Sequence, residues 1–275
     1  MHIGRHISIG GSLLNSLVVA EKLGADAMQI FTRNPRSWHS GTIEESVAQA
    51  FSAGLKASGV RVVASHMPYL PNVASPNAET WKKSVASLRD ELVSCNELGI
   101  HYVVMHLGSH LGAGPGAGKK NIIDAITEVE GSIGGTNLLL ENEAGHKNSM
   151  GCDVRELAEI YDGVGSRKVG FCLDTCHLFA YGYDIREHEV LDRIHSELGF
   201  DKVHALHLND AKEELGSHKD RHDNIGFGHI GTEGFRSFLN YNHLAGKTMI
   251  LETPPSDRIT AREEIVKVRS LIKKA

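Results

Sequence analysis

The fold is indicated by residues 62–106, which read VVASH at 62–66, a helical pattern over 80–98, and YVVMH at 102–106. The two outer segments are short, apolar and rich in β-branched residues, as expected of strands that are covered on both faces. Between them, apolar residues recur every three or four positions, which is typical of an amphipathic helix. Leu98-Gly99 ends this pattern, and glycine commonly ends a helix. The stretch therefore predicts a strand, a covering helix and a second strand.

The same unit recurs along the whole chain. Leu23-Gly24 and Ser58-Gly59 predict two further helix ends, each just before a strand. The eight predicted strands lie near residues 2–8, 27–32, 62–66, 102–107, 137–142, 169–175, 203–209 and 248–252. Eight strands alternating with helices predict an α/β protein with the (β/α)8, or TIM-barrel, fold. A doubly wound sheet is the alternative, but no linker or composition shift marks a second domain, so residues 1–275 are expected to form a single domain.

The composition is that of an ordinary globular protein. The 275 residues are 41% hydrophobic and 23% charged, which excludes a disordered, collagen-like or coiled-coil chain. No window reaches the roughly 20 apolar residues of a membrane span, and the N-terminal residues lack the layout of a signal peptide. Four scattered cysteines predict a reducing, cytoplasmic setting rather than a disulfide framework. The net charge of −5 is unfavourable for a nucleic-acid binder, whereas 17 histidines direct attention to metal binding.

Nine ligand-type residues lie at the predicted strand ends or in the loops after them. In such a barrel the active site is built where the strands run into these loops. The nine are His66, His106, Glu141, Asp174, His177, His207, Asp220, His222 and Glu252. One alone is explained by a structural hydrogen bond or a helix cap. Buried acids at consecutive strand ends, however, need paired or metal-bound partners.

The types and number of these side chains predict the metal. Mixed imidazole and carboxylate groups favour Zn²⁺, with Mn²⁺ or Fe²⁺ as alternatives at some sites. Nine ligands exceed the needs of one tetrahedral ion, whereas three ions would receive about three each and keep positions open for water and substrate. A G-x-G-x-x-G sequence at 226–231 follows a loop rather than a strand, so no nucleotide cofactor is expected.

These motifs, in this order, resemble the endonuclease IV family of metal-dependent apurinic/apyrimidinic (AP) endonucleases, AP endonuclease family 2. The resemblance covers nearly the whole chain and rests on IGRHISIGG at 3–11, FTRNPRSW at 31–38, HMPYL at 66–70, ENEAG at 141–145, LDTCH at 173–177, HLND at 207–210 and DRH at 220–222. It implies a base-excision-repair enzyme that hydrolyses the phosphodiester 5′ to an abasic site, leaving a 3′-hydroxyl and a 5′-deoxyribose phosphate. Three departures from the family pattern, Arg5, Leu107 and Phe227, remove no ligand.

The resemblance also implies roles for the nine ligands. One zinc ion would be held by His66, His106 and Glu141, a second by Glu141, Asp174, His207 and Glu252, and a third by His177, Asp220 and His222. Glu141 and Glu252 would be catalytic. Glu141 would position the hydroxide nucleophile between two ions, and Glu252 would orient it from the other side.

The implied partner is duplex DNA that carries abasic or 3′-blocked lesions. Arg36, Tyr69 and Leu70 would enter the DNA and fill the space left by the displaced nucleotide. Zinc ions would offset the acidic net charge where phosphates bind. The cations expected close to those phosphates are Arg33, Arg36, Lys147 and Arg221. No membrane partner is expected, and a monomer suffices for the reaction.

Three alternatives account for part of these residues. A sugar isomerase or epimerase on a similar barrel would use Glu141, Asp174, His207 and Glu252 with one or two ions. It would leave the other five ligands without a purpose. A non-catalytic DNA-binding barrel would recognise a lesion without cutting it. Tyr69 and Leu70 could instead pack as ordinary core beneath a loop.

Overall fold

A closed barrel of eight parallel strands organises the computed structural model, which describes residues 1–38 and 43–273. The strands within this part are β1 (His2–His6), β2 (Ala27–Ile30), β3 (Val62–His66), β4 (Tyr102–His106), β5 (Asn137–Glu141), β6 (Val169–Asp174), β7 (Val203–Leu208), β8 (Asp210–Ala211), β9 (His222–Asp223) and β10 (Thr248–Leu251). The barrel order is β1-β10-β7-β6-β5-β4-β3-β2, and β8 and β9 form a separate antiparallel pair. The predicted (β/α)8 barrel is confirmed, and the doubly wound sheet is wrong.

Helices connect the barrel strands. Those in the described ranges are α1 (Leu13–Leu23), α2 (Glu45–Ala57), α3 (Ala78–Leu98), α4 (Pro115–Val129), α5 (Val154–Val164), α6 (Thr175–Tyr181), α7 (His188–Leu198), α8 (Gly231–Leu239) and α9 (Ala261–Leu271). None of them is long and apolar enough to cross a membrane.

Local signals explain most of the helix ends. Gly24 and Gly99 follow α1 and α3 with φ of 70° and 73°, a left-handed conformation that glycine adopts without strain. The same expectation for Gly59 is wrong, because α2 ends at Ala57 and extended Ser58 follows it. The hydroxyl of Ser58 accepts from Val60 N at 3.2 Å, so the chain turns into β3 without a left-handed residue.

The buried core has two parts. Small and medium-sized side chains fill a cluster inside the barrel, formed by Ala64, Val104, Leu139, Cys172 and Ala205. A much larger cluster is built from the helices and from the outward faces of the strands. Strands covered on both sides in this way read as continuous apolar runs. All four cysteines are buried and free.

Strand register places the polar strand ends side by side. His106 at the end of β4 pairs with Glu141 at the end of β5, and Asp174 at the end of β6 pairs with His207 in β7. Because all eight barrel strands run parallel, their carboxyl ends share one rim. The fold therefore places the imidazoles and carboxylates of these residues at one rim of the barrel.

Candidate metal centre

The first group of ligand-type atoms lies at the ends of β3, β4 and β5. His66 Nε2 is 3.1 Å from Glu141 Oε2, and His106 Nε2 is 3.5 Å from the same oxygen. On the far side of each ring, Nδ1 of His66 faces Met67 O at 2.7 Å, and Nδ1 of His106 faces Glu143 Oε1 at 2.9 Å. Since the backbone oxygen only accepts, the His66 ring carries a proton on Nδ1 and turns Nε2 toward Glu141. Nδ1 of His106 makes no well-directed hydrogen bond in the described part of the chain.

The second group lies around His207. Its Nδ1 is 2.7 Å from Glu141 Oε1, 3.3 Å from Glu252 Oε2 and 3.9 Å from Asp174 Oδ2. One imidazole nitrogen therefore faces three carboxylates. Glu141 joins this group to the first, because its two oxygens point in opposite directions.

The third group is centred on Asp220, in the loop between β8 and β9. Its Oδ1 lies 3.2 Å from His177 Nε2 and 3.0 Å from His222 Nε2. Both nitrogens are buried, yet neither makes a well-directed hydrogen bond within the described part of the chain. Buried polar atoms without partners are rare, and two imidazole nitrogens with a carboxylate fit a metal ion.

Within each group the ligand atoms lie within 4.8 Å of one another. The groups are His66, His106 and Glu141; Glu141, Asp174, His207 and Glu252; and His177, Asp220 and His222. All nine candidate residues therefore come together. Cys176 adds a group with Asp174 and His222 that the sequence reasoning did not assign.

Electrostatics favour ionised acids here. Burial raises the pKa of Glu141, but the nearby rings of His106 and His207 outweigh it and hold that pKa well below its usual range. Burial raises the pKa of Asp220 as well, and His177 and His222 more than reverse the effect. The pKa of His106 is lowered by burial, yet the charges of Glu141 and Glu143 raise it to about 9. Ionised acids packed among imidazoles are the arrangement that binds divalent metal ions.

A cavity of about 350 Å³ opens onto these groups. Six of the nine candidate ligands line it, and Phe31, Tyr69 and Arg5 complete part of its wall. The volume lies within the range of sites for small molecules or parts of larger substrates.

Two surface loops stand beside the cavity. Tyr69 and Leu70 are 64% and 38% exposed, so the alternative that they pack as ordinary core is wrong. The amide of Tyr69 donates to Pro35 O at 3.0 Å, and its ring lies 5.3 Å from that of Phe31. These contacts join the Tyr69 loop to the 31–38 segment, whose Arg36 is exposed.

Of the four cations expected close to the phosphates, Arg33 is placed differently from the prediction. Lys147 and Arg221 are exposed. Arg33 is not free for phosphate, because its guanidinium lies 2.7 Å from the buried carboxylate of Glu91 on α3. Arg5 instead lines the cavity and donates from Nη2 to Thr253 O at 3.2 Å.

Sequence reasoning missed several polar residues around the ligands. Asn209 Nδ2 donates to Asp174 Oδ2 at 2.6 Å, and Asn209 Oδ1 accepts from Glu252 N at 3.0 Å. Gln29 contacts His207 and Glu252 from inside β2. The available signal was a polar residue inside an otherwise apolar strand, AMQI, which a strand buried on both faces rarely tolerates without a partner.

The glycine-rich segment 226–231 has a structural role, because its backbone amides bind the side chain of Asp210. The Asp210 carboxylate accepts hydrogen bonds from the amides of Gly226, Gly228 and Ile230 at 2.8, 3.0 and 3.0 Å. These amides would have to face a phosphate in a dinucleotide-binding loop. Here they fix the loop that follows β9.

Known proteins are similar to this chain in sequence and in fold. Residues 17–274 match the family model described as "Xylose isomerase-like TIM barrel". The chain is 45% identical over 276 residues to "Probable endonuclease 4" of Methanoculleus marisnigri, with 98% of each protein covered. Endonuclease IV from Thermus thermophilus superposes with a TM-score of 0.88 at 35% identity, covering 98% of both chains. The chain belongs to the endonuclease IV family.

As a member of this family, the protein is an endonuclease. A D-tagatose 3-epimerase-like protein also superposes, with a TM-score of 0.76 over 98% of this chain and 95% of that one. At 21% identity, this second likeness shows only a shared barrel. For endonuclease IV, the clusters of buried imidazoles and carboxylates are consistent with metal binding.

Proposed function

We propose that this endonuclease IV hydrolyses the phosphodiester on the 5′ side of an abasic site in duplex DNA, leaving a 3′-hydroxyl and a 5′-deoxyribose phosphate. Three Zn²⁺ ions would be held by the three ligand groups, with Mn²⁺ or Fe²⁺ as alternatives. One observation carries the proposal. Two additional ligand groups, His66–His106–Glu141 and His177–Asp220–His222, adjoin the quartet around His207.

The same observation argues against a sugar isomerase or epimerase. Such an enzyme needs the quartet and one or two ions. It gives no reason for the Nε2 atoms of His66 and His106 to lie beside Glu141, or for the unpartnered nitrogens of His177 and His222. Three adjoining ions suit a phosphodiester, whose non-bridging and leaving oxygens each gain charge in the transition state.

Two carboxylates of this chain position the attacking water. When bound, zinc ions would lower the pKa of a water molecule and would provide positive charge for the phosphate oxygens. Glu141 is fully buried and faces both the His66 side and the His207 side, so it holds the attacking water where the two groups meet. Glu252 lines the cavity and orients the water from the opposite side.

The exposed loops provide recognition of the lesion. Tyr69, Leu70 and Arg36 stand beside the cavity and enter the duplex where a base is missing. Displacing a nucleotide costs least where stacking is already lost, and apolar side chains stabilise the kinked duplex by occupying the gap. Arg5 adds a cation to the cavity wall, where a phosphate binds.

Replacing Tyr69 with alanine should weaken binding to abasic duplex by about 10- to 100-fold, since stacking on an aromatic ring contributes about 1–3 kcal/mol. Bound zinc should not change, because Tyr69 is not a ligand. Fluorescence anisotropy and metal analysis measure the two quantities. Val266→Ala, at an exposed apolar position on α9, is the control. Parallel loss of zinc and of binding would show that Tyr69 supports the metal centre rather than contacting DNA directly.

The reaction needs one chain, so a monomer is proposed, with residues 1–275 as a single domain. Residues 39–42 and 274–275 lie outside the described part. Four free, buried cysteines support a reducing, cytoplasmic setting.

A synthetic duplex with one abasic analogue tests the function. Incubation with and without a chelator, followed by gel analysis of the fragment ends, should give metal-dependent cleavage 5′ to the analogue. Binding without cleavage under any metal supplement would favour a lesion-binding protein. Isomerisation of a free sugar with no cleavage would favour the epimerase alternative.

A further inference from the structure

Gln29 is a buried amide that contacts two candidate metal ligands, His207 and Glu252, and the neighbouring His6. It is in β2, and its side chain is fully enclosed. Its Oε1 lies 2.9 Å from His207 Nε2, and its Nε2 lies 2.6 Å from Glu252 Oε1. The same Nε2 lies 3.1 Å from His6 Nδ1.

Hydrogen-bond chemistry permits one orientation of this amide. A carboxylate accepts hydrogen bonds and cannot donate, so the NH₂ group of Gln29 must face Glu252. The carbonyl oxygen must then face His207. Since this oxygen also only accepts, His207 must carry a proton on Nε2.

The proton on Nε2 determines which ring nitrogen of His207 can bind a metal ion. With a proton held on Nε2, Nδ1 is the ring nitrogen of His207 that is left to bind a metal ion. This atom faces Glu141 Oε1 at 2.7 Å and Glu252 Oε2 at 3.3 Å. The second hydrogen of the Gln29 amide is directed at Nδ1 of His6, which therefore accepts.

We propose that Gln29 is a positioning residue that selects the Nδ1-binding tautomer of His207 and holds Glu252 in place. It thereby controls occupancy of the metal position in the Glu141–Asp174–His207–Glu252 group. This inference rests on the proposed function, in which that group holds an ion. Partners behind metal-binding histidines commonly have this role, and their loss typically weakens metal binding by about 10- to 100-fold.

The variant Gln29→Leu removes the hydrogen bonds to His207, Glu252 and His6 at similar side-chain size. We expect it to retain two tightly bound zinc ions and to release the third about 10- to 100-fold more readily during titration with a zinc chelator. Gln49→Leu is the matched control. Gln49 lies on α2, where its amide bonds the exposed Glu45, and this variant should hold zinc as the wild type does.

Nitrogen-15 NMR of histidine in the zinc-loaded wild type tests the tautomer without any substitution. We expect a protonated Nε2 and a metal-bound Nδ1 for His207. A protonated Nδ1, or unchanged zinc release in Gln29→Leu, would overturn the role of Gln29. A wild-type protein that binds no zinc and leaves abasic DNA intact would instead overturn the proposed function.

Discussion

Replacing Glu141 with glutamine is expected to abolish cleavage of abasic duplex, lowering the single-turnover rate by at least about 10²- to 10³-fold. Its Oε2 lies 3.1 Å from His66 Nε2 and its Oε1 lies 2.7 Å from His207 Nδ1, the two ring nitrogens proposed to bind metal. A glutamine keeps the shape but turns one oxygen into an NH₂ group. That group would face a ring nitrogen whose lone pair is needed for metal.

The control for Glu141→Gln is the same substitution at a glutamate outside the metal centre. Glu159 on α5 is exposed and pairs with Lys119, so Glu159→Gln should cleave at the wild-type rate. Metal analysis of Glu141→Gln should show less bound zinc, because Glu141 belongs to two ligand groups. Near-normal cleavage by Glu141→Gln would contradict the proposed position of the attacking water.

Replacing Glu91 with alanine is expected to destabilise the fold by about 3–5 kcal/mol, the usual cost of removing one partner of a buried ion pair. Glu91 is fully buried and lies 2.7 Å from the Arg33 guanidinium. It also accepts from the hydroxyls of Thr32 and Ser65. Alanine would leave a buried charge and two hydroxyls without their acceptor.

Chemical denaturation measures this loss, and the same helix provides the control. Glu79 on α3 pairs with Lys83 at the surface, so Glu79→Ala should leave the unfolding midpoint unchanged. Because Arg33 and Thr32 belong to the segment that carries Arg36, Glu91→Ala should also weaken binding to abasic duplex. Equal stability of the two variants would show that the buried pair does not anchor this segment.

The barrel could be predicted because the burial of its strands and the ends of its helices produce local sequence patterns. Strands such as β3 and β4 are covered on both faces, so they read as continuous apolar runs, and Gly24 and Gly99 end helices in a conformation that favours glycine. The nine ligands could be proposed because acids are rarely buried at successive strand ends unless they are paired or bind a metal ion.

Other features depend on side-chain direction, which the sequence pattern does not encode. Arg33 and Arg36 are three residues apart, yet one binds the carboxylate of Glu91 and the other is exposed. Gln29 is a single polar residue in a short strand, so no periodicity reveals its partners. The contacts of Asp210 with amides 16 to 20 residues away depend on a loop path that only the fold defines.

Anomalous diffraction from zinc-loaded crystals, recorded on both sides of the zinc absorption edge, tests the central claim most directly. We expect three zinc peaks, one in each ligand group, each about 2.0–2.3 Å from its imidazole nitrogens and carboxylate oxygens. A single peak within the Glu141–Asp174–His207–Glu252 group, or peaks away from the three groups, would contradict it.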